Sequence, residues 1–294
     1  MIIALLGSKY PEHFSKYIQH LIKKLENEHV KLIIEEEFYS FLKKNIRFKK
    51  THHTFNTHEG LKGEDYTDFL FSIGGDGTLL KAVTYIKDSD IPILGINTGR
   101  LGFISSISAD QIEDAVNDII KNRYTINERT LLELKTNNNL FKETNFALNE
   151  VAVSKKDTSS MIRVDAFVDN DFLNTYWADG LVISTPTGST GYSLSCGGPI
   201  IMPGTNNIII TPNAPHNLNV RPIVIDDNSI IKLKVEDRDQ LALVSLDSRS
   251  RSFDSSTELI IKKANFKIKL VQPQNNSFTT TIRNKLMWGL DKRS

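Results

Sequence analysis

The sequence predicts an α/β domain followed by a β-sandwich domain. Up to about residue 105, short apolar runs alternate with segments whose apolar residues recur at helical spacing. After one more helical segment at 109–121 the helical spacing nearly disappears, and short alternating runs follow one another at the spacing typical of a sandwich. The chain has 294 residues, which is long enough for two domains that each bury a core.

The first domain is predicted to contain a parallel, Rossmann-like sheet, because strands that alternate with helices form parallel sheets. Strands are predicted at residues 2–6, 30–34, 68–73 and 91–97, and helices at 11–25, 38–43 and 79–86. One more helix, at 109–121, lies beyond the predicted boundary near residue 105. Residues 47–63 are polar and predict a loop. We interpret its histidines, His52, His53 and His58, as solvated side chains, and no metal-ligand set is predicted.

The second domain is predicted to be built from strands. They are expected at residues 131–134, 146–153, 162–168, 172–177, 230–235, 241–246, 259–262 and 266–271, with a hairpin turn at 169–171. A last helix at 282–290 is expected to return to the first domain. The predicted domains are therefore 1–105 plus about 273–294, and 106–272.

Composition narrows the class of partner. The formal net charge of +1 gives no bulk attraction to nucleic acid or to an anionic membrane, so neither is an expected partner. The single cysteine, Cys196, fits a reducing cytoplasm. No apolar run has the length of a membrane span, and the opening apolar run is too short for a signal peptide. We expect a cytoplasmic protein.

The first candidate site is the sequence Gly-Gly-Asp-Gly-Thr at residues 74–78, between a predicted strand and a predicted helix. Glycines let a ligand approach the backbone, and the N–H groups of a new helix favour an anion. The carboxylate of Asp76 would repel a phosphate unless it bound a metal or accepted a proton, so Asp76 is the first candidate for chemistry. The alternative is that Asp76 or Thr78 only caps the helix. A P-loop and a dinucleotide fingerprint are both excluded by the residues that follow.

Two further candidates lie in the second domain. Asn149 and Glu150 interrupt an apolar strand pattern, and a buried carboxylate or amide needs a partner. That partner is a ligand or a structural hydrogen bond, and these two residues by themselves slightly favour the structural hydrogen bond. Residues 179–199 follow a predicted strand and are dense in Gly, Ser and Thr. Their hydroxyls can bind phosphate or sugar oxygens, and Tyr192 can stack on a base, so we favour a binding site over a surface loop.

Taken together, the motifs at 74–78, 149–150, 179–180 and 185–195 resemble, in order and spacing, those of the NAD kinase family. The resemblance covers almost the whole chain, and the Thr-Pro-Thr-Gly-Ser-Thr segment is its most specific part. It implies that NAD binds between the two domains. It also implies that ATP, or polyphosphate in some members, donates a phosphoryl group to the 2′-hydroxyl of the adenosine ribose.

The resemblance also implies roles for individual residues. Asp76 matches the proton acceptor of the family. The positions implied to contact NAD are Gly77, Asn149, Glu150, Asp179, Thr190, Tyr192, Ser195 and Ala214, and Lys81 is a further contact position. Their neighbours in the motifs complete the candidate binding residues: Gly74, Gly75, Thr78, Gly191, Ser193 and Leu194. Trp177 stands at a position associated with the preference between NAD and NADH.

The chain departs from the family pattern at two places. One is Trp177, which stands where some relatives carry Arg and others a smaller residue. At the other, the family often has Asp-x-Gln where this chain has Asp247-Ser248-Arg249, which puts the contact assigned to the Gln in doubt. The family reading implies a divalent metal ion, Mg²⁺, to offset phosphate charge. It also implies a homo-oligomer, either a dimer or a tetramer, in which a neighbouring subunit often completes the NAD site.

Two other functions compete with NAD phosphorylation. A lipid kinase can use a similar glycine loop, but it would need an apolar acceptor groove, whereas residues 179–199 are rich in hydroxyls. A non-catalytic dinucleotide-binding regulator is the second rival. Asp76 argues against it, because a passive phosphate cradle has no use for a carboxylate.

Overall fold

The structure is a computed structural model that describes residues 1–56, 61, 67–156, 161–236, 241–274 and 277–288. The chain divides into two compact units, Met1–Glu128 together with Ile268–Ser294, and Arg129–Lys267. The first unit includes the helix that begins at Ile112, which the predicted domain limits assign to the second domain. The limits of independently folding domains stay a prediction.

The first unit contains a parallel sheet and helices. Its strands β1 to β5 are Ile2–Gly7, Lys31–Glu35, His53–Phe55, Phe69–Ile73 and Ile93–Ile96, and its helices α1 to α4 are Ser15–Asn27, Glu36–Asn45, Asp76–Ile86 and Ile112–Ile120. The strand order is β3-β2-β1-β4-β5, with all pairs parallel. The direction of winding reverses between β1 and β4, and ligands of open α/β sheets bind beyond the carboxyl ends of the strands at such a point.

Hydrophobic patterning explains these elements. Strand β4 is buried along its whole length, as expected for a central strand covered on both faces. Helix α1 buries one stripe, formed by Ile18, Leu21, Ile22 and Leu25, against the sheet core. Among the described residues, no helix has both the length and the apolar character needed to cross a membrane.

The second unit is a sandwich of two antiparallel sheets. Strand β6, Tyr124–Thr136, leads into it from the first unit. The elements that follow are β7 (Phe146–Ala147), β8 (Glu150–Lys155), β9 (Ile162–Val168), β10 (Asp171–Ala178), β11 (Gly180–Ser184), the short α5 (Tyr192–Ser195), β12 (Asn207–Asn213), β13 (Ile223–Asp226), β14 (Ile231–Glu236), β15 (Leu241–Leu246), β16 (Arg249–Asp254) and β17 (Leu259–Pro273).

The sheet orders show how the sandwich is formed. One sheet has the order β13-β12-β11-β8-β15-β16, and in the other β9 lies between β10 and β14, which pairs in turn with β17. Apolar residues from both sheets, such as Val153, Ile183 and Leu233, pack into one core. The predicted fold class, an α/β part followed by a β-sandwich, is confirmed.

Strand β17 and helix α6 (Phe278–Leu286) correct two predicted boundaries. Strand β17 runs unbroken through residues 263–265, where two separate strands were predicted. Helix α6 begins earlier than predicted, because the Ser277 hydroxyl caps it by accepting the N–H of Thr280 at 3.2 Å. The C-terminal helix lies in the first unit, as expected, and there the Lys285 ammonium donates to the Leu101 carbonyl at 2.5 Å.

The predicted loop at residues 47–63 is partly wrong. It contains β3, which extends the parallel sheet beside β2. His52 is not solvated, since its Nε2 atom lies 3.0 Å from Glu26 and both side chains are 2% exposed. Burial needs the pair, because each polar group satisfies the other. His53 is exposed, as predicted, and His58 lies outside the described residues.

Candidate active site

The glycine turn at residues 74–78 lies where the sheet reverses its winding, between β1 and β4. Gly74 packs so closely against the side chains of Thr78 and Ser8 that a Cβ atom there would overlap both. The Thr78 hydroxyl donates to that of Ser8 at 3.1 Å. At Gly75 and Gly77, by contrast, an added Cβ would meet no heavy atom within 4 Å. One face of the turn is therefore open to a ligand.

The Asp76 carboxylate is bound by the loop that follows β5. Its Oδ2 accepts the N–H of Phe103 at 2.9 Å, and its Oδ1 accepts those of Ile104 at 3.2 Å and Ser105 at 2.8 Å. Gly102 lies so close that a Cβ atom there would overlap the carboxylate. Helix α3 has Gly75 at its N-cap position, so the alternative in which Asp76 or Thr78 is the N-cap is wrong.

The loop after β5 is itself anchored at both ends. The buried Asn97 side chain accepts the N–H of Gly99 at 2.8 Å and donates to the Ser105 carbonyl at 3.3 Å. The Ser105 hydroxyl donates to the Gly74 carbonyl at 3.2 Å, which ties the loop to the glycine turn. Lys285 holds the middle of the loop through Leu101 and lies 4.7 Å from the centre of the Phe103 ring. Asp76 is thus fixed by a supported loop.

Lys81 lies in the second turn of α3 and is exposed. Its ammonium is 5.7 Å from the centre of the Tyr85 ring, a weak contact for a solvated cation. The side chain is therefore available on the helix that begins at Asp76, and its predicted contact with a ligand stays a prediction.

In the second unit, the predicted strand at 146–153 is interrupted at residues 148–149, between β7 and β8. The interruption turns three successive backbone N–H groups toward the Asp247 carboxylate. Oδ2 of Asp247 accepts the N–H of Leu148 at 3.0 Å, and Oδ1 accepts those of Asn149 at 2.8 Å and Glu150 at 3.3 Å. A single carboxylate therefore satisfies the donors that the break in the strand releases.

The side chains of Asn149 and Glu150 each present one buried oxygen with no hydrogen-bond partner among the described residues, Oδ1 of Asn149 and Oε2 of Glu150. An unsatisfied buried acceptor costs about 1–3 kcal/mol. For these two oxygens the alternative of a structural hydrogen bond is not met within the described chain, and a ligand that donates hydrogen bonds fits them.

Burial and the neighbouring Asp247 charge raise the pKa of Glu150 to about 8, while the backbone N–H of Tyr192 acts in the opposite direction. Burial also raises the pKa of Asp247, against the hydrogen bonds it accepts and the nearby Arg249 charge. Two carboxyl groups in one buried region cannot both ionise without cost, so Glu150 is largely protonated at neutral pH.

The segment rich in glycines and hydroxyls surrounds Asn149. The Thr185 hydroxyl donates to the Leu148 carbonyl at 2.6 Å, and the Thr185 N–H donates to the Asn149 carbonyl at 2.9 Å. Gly188 has to be glycine, because a Cβ there would overlap the Asn149 backbone. The buried Ser193 hydroxyl pairs with that of Thr211 at 2.9 Å. Several hydroxyls of this segment thus shape the site from within.

Other candidates of the segment face outward. Tyr192 is 40% exposed, and its hydroxyl accepts a hydrogen bond from the Asn213 amide at 2.8 Å. Ser195 is exposed, and Thr190, Gly191 and Leu194 are partly exposed. These residues fit the predicted contact surface, and their contacts with a ligand stay predictions.

Three further candidates lie around the start of β11: Trp177 near the end of β10, Asp179 just before β11, and Ala214 just after β12, which pairs with β11. Asp179 forms an ion pair with Lys155 at 2.6 Å, a partner that sequence reasoning missed. Trp177 is 50% exposed, and its carbonyl accepts the His216 N–H at 2.8 Å. Ala214 has a φ of 46°, a left-handed conformation that is rare for alanine and that often marks a functional site.

Sequence reasoning missed three kinds of supporting residue. Ser105 and Lys285 support the Asp76 loop, Asp247 supports the turn at residues 148–150, and Lys155 pairs with Asp179. Only Asp247 carried a signal, since it belongs to the Asp-x-Gln motif from which the chain departs at Arg249. The Arg249 guanidinium donates to the carbonyls of Thr144 and Phe146, each at 2.5 Å.

Comparisons with known proteins decide the family. A model described as the ATP-NAD kinase N-terminal domain matches residues 3–124, and one described as the ATP-NAD kinase C-terminal domain matches residues 148–273. A protein named NAD kinase from Christiangramia forsetii is 47% identical, with 100% of each chain covered. The chain belongs to the NAD kinase family. A second protein named NAD kinase, from Porphyromonas gingivalis, is 40% identical to this chain, with 98% of each chain covered.

Solved structures of the NAD kinase family share the fold. A yeast NADH kinase complexed with NADH gives a TM-score of 0.85 at 23% identity, covering 99% of this chain and 89% of that one. An NAD kinase from Archaeoglobus fulgidus in complex with ATP gives a TM-score of 0.74 at 26% identity, with 98% and 99% covered. At 23% identity the yeast structure supports the fold alone.

Proposed function

We propose that the protein is an NAD kinase, which transfers a phosphoryl group from ATP, or from polyphosphate, to the 2′-hydroxyl of the adenosine ribose of NAD and so forms NADP. The observation that carries this proposal is the Asp76 carboxylate, placed at the winding switch of the sheet in a glycine turn with an open face. A passive phosphate cradle has no use for that carboxylate, whereas phosphoryl transfer to a hydroxyl needs a proton acceptor.

In the proposed reaction, the ribose 2′-oxygen forms a bond to the terminal phosphorus of ATP, and the bond from that phosphorus to the bridging oxygen breaks. The 2′-hydroxyl proton passes to Asp76, and ADP leaves with the bridging electrons. Gly75 and Gly77 let the phosphates approach the backbone, because no side chain fills that face. Positioning and charge stabilisation supply most of such catalysis.

The NAD side of the proposal rests on the second unit. Asn149 Oδ1 and Glu150 Oε2 are unpartnered acceptors that suit the hydroxyl or amino donors of a ribose or an adenine. Because the pKa of Glu150 is raised to about 8, its carboxyl also keeps a proton that it can donate near neutral pH. The exposed side chain of Tyr192 suits stacking on a base.

The residues present fit Mg²⁺ only when the substrate brings it. No group of three or more His, Cys, Asp or Glu side chains that could hold a metal is found within the described part of the chain. Mg²⁺ is commonly bound by one or two carboxylates together with substrate phosphates. Asp76 is the carboxylate available for that role, and its Oδ2 accepts a single N–H. A bound Mg²⁺ would offset the charge of the phosphates.

The proposal includes a cytoplasmic homo-oligomer, either a dimer or a tetramer. The single cysteine suits a reducing compartment. Exposed apolar residues of the second unit, among them Phe172 at 59% and Leu218 at 84%, are the sort of surface that subunits cover. Size-exclusion chromatography with light scattering measures the molar mass of the protein and so distinguishes a monomer from a dimer or a tetramer.

One assay tests the function and separates its rivals. The purified protein is incubated with Mg²⁺, NAD and either ATP or polyphosphate, and NADP is measured by an NADP-specific dehydrogenase. We expect NADP with at least one donor. Absence of NADP, together with phosphorylation of a sphingoid base or of diacylglycerol, would point to a lipid kinase. Binding of NAD without NADP from either donor would point to a regulator.

A further inference from the structure

Residues 148–150 form a turn that carries two unsatisfied acceptors, Oδ1 of Asn149 and Oε2 of Glu150, without an internal bond to hold them there. Left to itself, such a turn would rearrange until these oxygens found donors, because unsatisfied buried acceptors are costly. Something outside the turn has to fix its shape. The bonds made by Asp247 and Arg249 identify what does so.

Asp247 binds the turn at residues 148–150 from the hairpin between β15 and β16. Strand β15 pairs with β8 so that Leu246 lies opposite Val151, which places Asp247 beside the start of β8. Its carboxylate accepts three successive N–H groups of the turn, and its own N–H donates to the Glu150 carbonyl at 3.0 Å. Asp247 has a φ of 53° in a two-residue turn between Leu246 and Arg249, a conformation that Asp tolerates well.

Arg249 binds residues 144–146, the segment that leads into the turn. Its guanidinium donates to the carbonyls of Thr144 and Phe146, each at 2.5 Å, and lies 5.7 Å from the centre of the Phe146 ring. One of its nitrogens is 4.0 Å from Oδ2 of Asp247. The planar fork of arginine can span two acceptors, which a lysine ammonium or a glutamine amide does less well.

We propose that Asp247 and Arg249 are positioning residues, which together hold residues 144–150 so that the free oxygens of Asn149 and Glu150 face the NAD ribose or adenine. The proposal rests on the proposed function for the identity of the ligand, and on the hydrogen bonds above for the positioning. It assigns Arg249 to support of the backbone, where sequence reasoning left its role in doubt.

Arg249→Gln is the first test, with Arg251→Gln as the matched control. Arg251 lies two residues further along β16 and is exposed. We expect Arg249→Gln to raise the KM for NAD about tenfold, as for the loss of one good charge-assisted hydrogen bond, with kcat changed less than about twofold. Arg249→Lys should recover only part of the KM, because it keeps the charge and loses the fork. Arg251→Gln should behave as the wild type.

Asp247→Asn is the second test, and hydrogen exchange of the free protein is its readout. Asparagine preserves the shape but replaces one acceptor oxygen with an NH₂ group, which cannot accept the N–H groups of the turn. The amides of residues 148–150 should exchange at least about tenfold faster, while amides in the core of the first unit keep their protection.

The pH dependence of the KM for NAD in the Asp247→Asn variant distinguishes a specific effect of the Asp247 charge on Glu150 from a general loss of structure. The charge of Asp247 raises the pKa of Glu150, so its removal should move the Glu150-dependent inflection in the KM for NAD to lower pH. Among the described residues, Tyr192 and Cys196 also interact with Glu150, and the substitution leaves both in place. A variant that is merely less stable would keep the inflection where it is.

These measurements keep the positioning claim separate from the proposed function. If the wild type neither binds NAD nor forms NADP, the proposed function fails. Amide exchange of residues 148–150 in Asp247→Asn still tests whether Asp247 fixes the turn. If the wild type is active, and Arg249→Gln and Asp247→Asn both keep the wild-type KM and amide protection, the positioning role is overturned. If Asp247→Asn does not fold, Arg249→Gln alone decides.

Discussion

Asp76 in the first unit and Asp247 in the second each bind three successive backbone N–H groups, yet their surroundings differ. Asp76 is partly exposed and belongs to a turn whose glycines leave one face open. The Asp247 side chain is 3% exposed and lies behind residues 148–150, whose own side chains carry the free oxygens. The same bonding pattern therefore supports two roles. Under the proposed function, the carboxylate of the first unit faces a ligand itself, whereas the carboxylate of the second unit stays buried and fixes the groups that face one.

The largest effect is expected for Asp76→Asn, which tests the exposed member of the comparison. Removal of a proton acceptor typically lowers turnover about 10²–10⁴-fold. NAD binding, measured by calorimetry, should stay within about twofold of the wild type, because the acceptors proposed to bind NAD lie in the second unit. Asp90→Asn is the control in the same unit, since its carboxylate is 74% exposed and forms an ion pair with Lys269. Comparable turnover of Asp76→Asn and wild type would remove Asp76 as the base.

The second prediction concerns how Asp76 is held. Gly102→Ala would place a Cβ atom on the Asp76 carboxylate and push it from its N–H donors. Displacement of about 1 Å can cost roughly 10²-fold in rate, so kcat should fall toward that extent. Gly99→Ala, in the same loop, meets no atom within 4 Å and should retain the wild-type kcat. Equal kcat values for the two variants would show that the position of the carboxylate does not matter.

The third prediction concerns the buried side of the comparison and uses pH. The pKa of Glu150 is raised from 4.5 to about 8 in the folded protein, so the folded state binds more protons than the unfolded state between these values. The free energy of unfolding should therefore fall as pH rises through that window, by at most about 1.4 kcal/mol per pH unit. Above about pH 8 this contribution stops changing.

Glu150→Gln cannot ionise, so its stability relative to the wild type should increase from about pH 5 to about pH 8.5 in urea titrations. Glu236→Gln, at an exposed position of the same unit, is the control and should follow the wild-type pH dependence. A constant offset between Glu150→Gln and wild type across this range would contradict a protonated, buried Glu150.

The smallest effect is expected for Asp179, a third carboxylate that is held by a side chain instead of backbone N–H groups. Lys155→Gln removes its partner, and the two side chains are 23% and 38% exposed. Ion pairs at such exposure contribute about 0–1 kcal/mol, so the urea midpoint should hardly move. Lys234→Gln is the control, because Lys234 is an exposed lysine on a different strand of the same unit, β14. A loss well above about 1 kcal/mol would show that this pair resembles Asp247 more than a surface contact.

Much of the fold and of the local geometry of the candidate site could be predicted, because both depend on local patterns. The alternation of strands and helices, the turn at residues 74–78 and the polar break at Asn149 all leave marks within a few neighbouring residues. The supports could not be predicted in this way. The partners of Asp76, Asp247 and His52 are far away in the chain, and no periodicity records which distant N–H or carboxylate will face them.

Helix α6 shows a second kind of failure. Apolar spacing predicted its start at residue 282, but the start depends on the Ser277 hydroxyl, a capping interaction that the apolar pattern does not register. The short strand β3 was missed for a related reason. Two of its three residues are polar, which is too short a pattern to predict a strand, and the order comes from pairing with β2.

The two carboxylates also differ in when they can act as the chain is made. Asp76 and its donors are 27 to 29 positions apart, whereas Asp247 and its donors are 97 to 99 positions apart. Loop-closure entropy adds only about 1 kcal/mol for that difference. The order of synthesis matters more, because domains begin to fold during translation. On a ribosome the Asp76 contacts can form once Ser105 has emerged, but the turn at Glu150 stays unsupported for nearly a hundred further residues. The turn at residues 148–150 therefore gains its support late, and the loop that binds Asp76 is completed later still, because Lys285 of the first unit is made after both.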